Sequence, residues 1–213
     1  HAKALSDEEL RGDAAEMPSM VFINRIIPGL ENRCVALDNR RGSQLATQYL
    51  LKQGHRHIAC LSSSHTIEDS TQRLAGYRDA LAEAGCELPD AYIAAGEPVA
   101  EGGEAAMSAI LSLSLPVTAV VAYNDFMAAG ALSVIEANGL RAPEDISVIG
   151  FDDSMIARYI QPRLTTIRYP VDMMAQTATQ LALALASSQA LPFCPPCYTP
   201  TLVLRHSVMS RFS

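Results

Sequence analysis

VVAYNDFMAAGALSVIEANGLRAPEDISVIGFDD, residues 120–153, decides the fold. Two short apolar runs, TAVVAYND (118–125) and ISVIGFDD (146–153), each end in a polar pair, and between them lies a segment of a different period. Over 126–138, Met127, Val134 and Ile135 recur at helical spacing before Gly139 supplies a stop, so the stretch reads as strand, helix, strand. Near-continuous apolar strands of this length are expected when both faces of a sheet are covered, which is the parallel case.

The same unit repeats outward. HIACLSSS (57–64) and AYIAAG (91–96) are two further strands of this kind, and the four runs begin 34, 27 and 28 residues apart. Residues 71–85 place Leu74, Tyr77, Leu81 and Ala84 on one helical face ahead of Gly85, and 103–113 repeat the pattern with Ala106, Met107, Ile110 and Leu111. Such intervals match right-handed βαβ crossovers, which predicts an α/β doubly wound parallel domain over about 38–168. Residues 19–25 and 34–37 read as flanking strands, with a helix at 43–53 between them and the first run. After the domain come a strand-like LTTIRYP (164–170), a helix from 171 to about 186, a Pro-punctuated loop, and a last strand near 198–205.

The composition fits that reading. Of 213 residues 49% are hydrophobic and 18% charged, enough to bury a sizeable core, and no run of eighteen apolar residues predicts a membrane span. The 32 alanines, 6% aromatic content and absence of Trp favour closely packed helices over a β-sandwich. With 16 Lys plus Arg against 23 Asp plus Glu, the net charge of -7 gives no electrostatic footprint for gripping phosphates, so these residues by themselves are not expected to bind DNA. Five scattered cysteines, with Cys60 inside an apolar run, fit a reducing compartment, and we expect the cytoplasm. The chain opens at His1 without an initiator Met or a leader, and reads as a fragment of something longer.

In open α/β sheets ligands bind beyond the carboxyl ends of the strands, so the polar residues there are the candidates. Ser62–Ser64, Asn124 with Asp125, and Asp152 with Asp153 follow three of the runs. Arg73 sits in the first turn of the helix at 71–85, where a cation opposes the helix dipole, so it is either simply solvated or held there to bind something. A guanidinium, an amide and a carboxylate in one crevice suit the vicinal hydroxyls of a sugar. Asp125 reads as the cap of the following helix and Asn124 as the ligand. No Gly-rich phosphate loop follows any strand, and Gly102 with Gly103 reads as a helix start.

The 120–153 stretch resembles the effector-binding core of the lactose-repressor (LacI/GalR) family of bacterial transcription regulators. The likeness extends through LLKQGHRHIACLSSS, STQRLAGYRDAL, ARYIQPRLTTIRYP and PTLVLRHSV, and its galactose-repressor and isorepressor branch is matched at HAKALSDEEL, VFINRIIPG, ENRCVALDN, GGEAAM, AYNDFMAAGAL and TPTLVLRHSV. The resemblance implies a periplasmic-binding-protein-like fold of two α/β subdomains joined by three crossovers, with a sugar in the cleft between them and a homodimer interface along both. With crossovers near 37–38, 168–171 and 187–192, residues 1–37 plus 171–188 become the remnant of an N-terminal subdomain and 38–168 plus 189–213 the C-terminal one. By motif position it implies sugar contacts from Arg73, Asn124 and Asp152, with Asp69 a weaker carry-over. Tyr123 and Phe151 either line the pocket or are buried in their strands. The helix-turn-helix that would carry operator DNA binding is absent from these residues, so DNA is a partner of the parent protein only; no membrane partner and no cofactor are implied.

Other readings stand beside this one. A periplasmic sugar receptor shares fold and cleft and is the rival function. An enzyme is not expected: Asp152 and Asp153, adjacent on a strand, would point to opposite faces and could not flank one glycosidic bond, and neither a nucleophile elbow nor a Ser, His and acid set is visible. Cys194-Pro-Pro-Cys197 has half of a redox or zinc spacing without a second half, so free loop thiols are expected. His55 and His57 read as an ordinary turn rather than a metal site, and Met173 with Met174 as core or dimer packing.

Overall fold

The computed structural model describes residues 5–192, 195 and 197–212. In chain order these form α1 (Asp7–Glu16), β1 (Phe22–Ile23), β2 (Cys34–Val35), α2 (Asn39–Lys52), β3 (Ile58–Ser63), α3 (Glu68–Glu83), β4 (Ile93–Gly96) and α4 (Ala100–Ser112). There follow β5 (Ala119–Ala122), α5 (Asp125–Ala137), β6 (Ser147–Phe151), α6 (Met155–Tyr159), β7 (Thr165–Arg168), α7 (Val171–Ala186) and β8 (Thr201–Val203). Among the described residues no helix is long and apolar enough to cross a membrane. The chain divides into two compact units, His1–Asp38 with Tyr169–Thr199, and Asn39–Arg168 with Pro200–Ser213.

The smaller unit holds a two-stranded parallel pair, β1 with β2, against which α7 packs. α7 buries Met174, Ala178, Leu181 and Ala184, one helical stripe, and leaves Met173 exposed. α1 has no counterpart in the periodicity reading, because its apolar face is only Leu10 and Ala14, yet Ser6 and Glu9 form a capping box that the S-x-x-E spacing carries. The third boundary between units lies between Thr199 and Pro200, later than the 187–192 read from sequence. Tyr198 is the reason: it bridges Leu37, exchanges backbone hydrogen bonds with Ala36 and Asp38, and meets the Thr177 hydroxyl of α7 at 2.6 Å.

The larger unit is a six-stranded sheet in the order β4-β3-β5-β6-β7-β8, parallel except for β8, which returns antiparallel on β7. The chain steps from β3 outward to β4, then crosses back to β5 on the other side of β3. The topological switch point therefore lies between the carboxyl ends of β3 and β5. The reversal also puts α2 and α3 on one face, packed together, and α4 and α5 on the other. Both faces being covered, every residue of β5 and β6 is buried. One core joins Leu61, Val120 and Val148 of the sheet to Met107, Ile110, Met127 and Ile135 of α4 and α5.

Close backbone approach holds the helix pairs. A Cβ on Gly76 of α3 would collide with the Arg40 carbonyl of α2, and one on Gly103 of α4 with the Met127 carbonyl of α5. Gly102 and Gly103 thus lie in the first turn of α4, which begins at Ala100; Gly103 sits at the crossing with α5, and Gly102 abuts the Glu97 carbonyl ahead of the helix.

Candidate functional site

The carboxyl ends of β3, β5 and β6 gather the polar side chains of the larger unit. Arg73 comes from α3, which begins at Glu68, three residues earlier than its apolar periodicity indicates. That places the arginine in the second turn, beyond the reach of the helix-dipole argument made from sequence. Its position is set by partners. Nε donates to Asn39 Oδ1 at 2.8 Å, Nη1 to the Tyr123 carbonyl at 2.5 Å, and Nη2 lies 3.7 Å from Asp152 Oδ1. The guanidinium carbon sits 3.6 Å from the centre of the Phe151 ring and 4.6 Å from that of Tyr123, so two aromatic faces stabilise the charge. Arg73 is only 8% exposed, and an arginine this buried is tolerated because its fork is occupied.

Asp152 is the more accessible partner, its side chain 28% exposed. Its φ of 112° and that of Asp153, 51°, take both residues off the strand into the left-handed region. The two carboxylates part company for that reason, not through strand alternation. Asp153 is buried and ion-paired to Arg205, to Arg168 Nε at 2.5 Å and to Arg158 Nη2 at 3.5 Å. Burial pushes its carboxyl upward, but the hydrogen bonds from Arg205 and Arg168 outweigh this and hold it below the usual carboxylate range.

The turn that presents Asp152 is fixed from the other side by Asp125. This fully buried carboxylate accepts the Ser154 amide at 2.7 Å, the Ser154 hydroxyl at 2.9 Å and the Thr166 hydroxyl at 2.6 Å. Burial raises its pKa, and the Thr166 and Ser154 hydrogen bonds partly offset that. A Cβ at Gly150 would strike the Asp125 carboxylate, so glycine there keeps the space open.

Asn124, not Asp125, caps the following helix. Asn124 is the N-cap of α5: its Oδ1 accepts the Met127 amide at 2.8 Å, while Nδ2 donates to the Pro98 carbonyl at 2.9 Å. One donor and one acceptor site of its amide are thereby taken, with one of each remaining in its inventory. Asp69, 4% exposed, reaches the cluster through Asn39, whose Nδ2 donates to it at 3.5 Å. The structure therefore unites Arg73 with Asp152 directly and with Asp69 through Asn39, and turns the Asn124 side chain toward the β4–α4 connection.

Asn39 escaped the sequence reading although its signal was present. Asp38-Asn39 is a polar pair closing the strand-like run 34–37, the same signature that marked Asn124-Asp125 and Asp152-Asp153. His55 is buried, with Nδ1 3.0 Å from the Thr118 hydroxyl and Nε2 3.0 Å from the Met209 carbonyl, a structural role. Cys194 lies outside the described residues. Among those described, no group of three His, Cys, Asp or Glu side chains converges as a metal set.

Comparison with known proteins agrees with this architecture. Residues 47–208 match the periplasmic binding protein-like domain family. The chain is 52% identical over 208 residues to the HTH-type transcriptional regulator GalR of Escherichia coli K12, covering 98% of this chain and 61% of that protein. It is 50% identical over 211 residues to the regulator GalS of Salmonella typhimurium LT2, covering 99% and 62% respectively. The chain thus spans about three-fifths of the length of these curated relatives. The crystal structure of a sugar-binding LacI-family transcriptional regulator from Escherichia coli superposes with a TM-score of 0.88 at 33% identity, covering 97% of this chain and 74% of that one. A 74% share of a relative at that identity, together with a domain match over most of the sequence, means that the chain belongs to the LacI/GalR family of transcription regulators and carries its periplasmic-binding-protein-like domain.

Proposed function

We propose that this chain is the effector-binding and dimerisation region of a sugar-responsive transcriptional repressor, with D-galactose or a close relative as effector. The observation that carries this reading is the pairing of a guanidinium, locked between two rings, with a carboxylate 3.7 Å away at the switch point of the sheet. That separation exceeds a direct hydrogen bond. A sugar hydroxyl fits the gap chemically, accepting from Arg73 Nη2 while donating to Asp152 Oδ1. Asp69 and the remaining capacity of the Asn124 amide serve neighbouring hydroxyls. The names of the GalR and GalS relatives favour a galactose-type effector and a regulator over a periplasmic receptor. No catalytic step, metal or cofactor enters the proposal.

The mechanism is a shift between two states of a dimer whose DNA-binding heads hold the operator in one state and not in the other. Moving such an equilibrium from 1:99 to 99:1 requires the sugar to discriminate by roughly 5.5 kcal/mol. Charge-assisted hydrogen bonds contribute about 1.5–3 kcal/mol each, so Arg73 and Asp152 together reach that scale. This places the parent protein in the cytoplasm, with operator DNA contacted outside these residues. The test is operator binding by the full-length protein with and without D-galactose. Sugar releases the operator from the wild type, whereas Arg73→Ala binds operator normally and no longer responds; retained response in that variant overturns the assignment.

A further inference from the structure

The net charge of -7 conceals a local cluster of the opposite sign. Arg158 on α6, Arg163 on the loop after it, Arg168 at the end of β7, and Arg205 with His206 after β8 line one open hollow, together with Leu204. Among the described residues, Asp153 is the one acidic partner of these side chains, and both its oxygens are engaged: Oδ1 by Arg205, Oδ2 by Arg168 at 2.5 Å and Arg158 at 3.5 Å. Four guanidiniums against one carboxylate leave a surplus of three positive charges. Asp153 is 2% exposed, while the Arg158 and Arg168 side chains are 57% and 50% exposed, so donors remain on the solvent side of the cluster. The Arg163 guanidinium has no ion-pair partner among the described residues and is exposed.

Several forked donors around a single acid repel one another unless a second acceptor joins them, and a tetrahedral oxyanion accepts from guanidiniums two at a time. We propose that this hollow is an anion site for a phosphate-class dianion, either free or as the terminal group of a phosphate monoester, clamped by Arg158 and Arg163 onto the Arg168–Arg205–Asp153 cluster. The proposal stands apart from the sugar reading, since the residues of the two sites differ and either can fail alone.

The experiment is calorimetric titration of the purified protein with inorganic phosphate at constant ionic strength held by chloride, repeated with glycerol phosphate. We expect one saturable site per chain and at least tenfold weaker binding to Arg158→Ala/Arg163→Ala, whose two positions are exposed and whose thermal midpoint is measured in chloride. Equal affinity for both ligands assigns the free anion; tenfold tighter glycerol phosphate assigns the monoester. Absence of saturable heat, or equal affinity for wild type and variant, overturns the site. So does phosphate indifference joined to a loss of self-association in the variant, which gives the cluster to acidic groups of a second copy. Should the double variant melt early, Arg163→Gln alone, which removes none of Asp153's hydrogen bonds, repeats the comparison.

Discussion

Arg73→Lys separates the charge of the candidate site from its geometry. Lysine keeps a cation on α3 but replaces a planar fork with a point charge bearing three rotatable donors. In the structure the arginine serves three directions at once: Asn39 Oδ1 at 2.8 Å, the Tyr123 carbonyl at 2.5 Å, and the Asp152 carboxylate at 3.7 Å. An ammonium cannot span all three, nor stack flat on Phe151. The contact facing Asp152 and the sugar is the one released, because the other two acceptors are held by backbone and by a buried amide. Losing one charge-assisted hydrogen bond to the ligand costs about 1.5–3 kcal/mol, a roughly 10- to 150-fold rise in Kd. The assay is isothermal titration of D-galactose into the full-length protein, with a thermal melt of each variant to establish folding. A folded Arg73→Lys that binds D-galactose within threefold of wild type refutes the reasoning.

Three further outcomes follow from the same geometry. Gly42→Ala on α2 places a Cβ 2.7 Å from the Phe151 ring; displacing that ring costs about 1–3 kcal/mol in thermal or urea unfolding and loosens Arg73 beneath it. Asp153→Asn removes the charge that three arginines share, and since two of the three are half-exposed the loss lies near the lower end of the buried-pair range, about 3 kcal/mol, measured by urea denaturation. His55 is held neutral, chiefly by burial, with its pKa lowered from 6.5 to about 4. Below pH 6.5 the unfolded chain binds a proton that the folded chain refuses, so stability falls as pH drops from about 6.5 toward 4, and His55→Gln flattens that portion of the urea-midpoint profile.

Strands β3, β5 and β6 and the helices between them were legible because burial on both sheet faces leaves a continuous apolar run, and a helix between covered faces leaves a 3.6 period; the edge strand β4, only partly buried, was legible from its short apolar run and its interval from β3. Where those patterns are weak, the sequence under-determines the element bounds. α3 begins before its apolar stripe, at Glu68 and Asp69, so Arg73 was placed one turn too early. α6 spans five residues, too few to establish a period. At the site, residue type at a strand end points to Asp152, whereas Arg73, on α3, is pointed to by its position in the STQRLAG stretch of the family resemblance. Local spacing carries no information about which of two adjacent polar residues turns inward. Asn124 became the cap and Asp125 the buried anchor because Ser154 and Thr166, about thirty and forty positions away in sequence, supply the donors that only a carboxylate can use. The partnership of Arg73 with Asn39 is likewise a product of the α2–α3 packing that Gly76 permits.

A double-mutant cycle for D-galactose binding, using Arg73→Lys, Asp152→Asn and the pair, tests the joint grip of guanidinium and carboxylate on one sugar. If both hold the same hydroxyl, the two losses overlap and the coupling energy exceeds about 1 kcal/mol. Additivity of the two single effects to within about 0.5 kcal/mol contradicts the account, because it means the two groups act on binding independently.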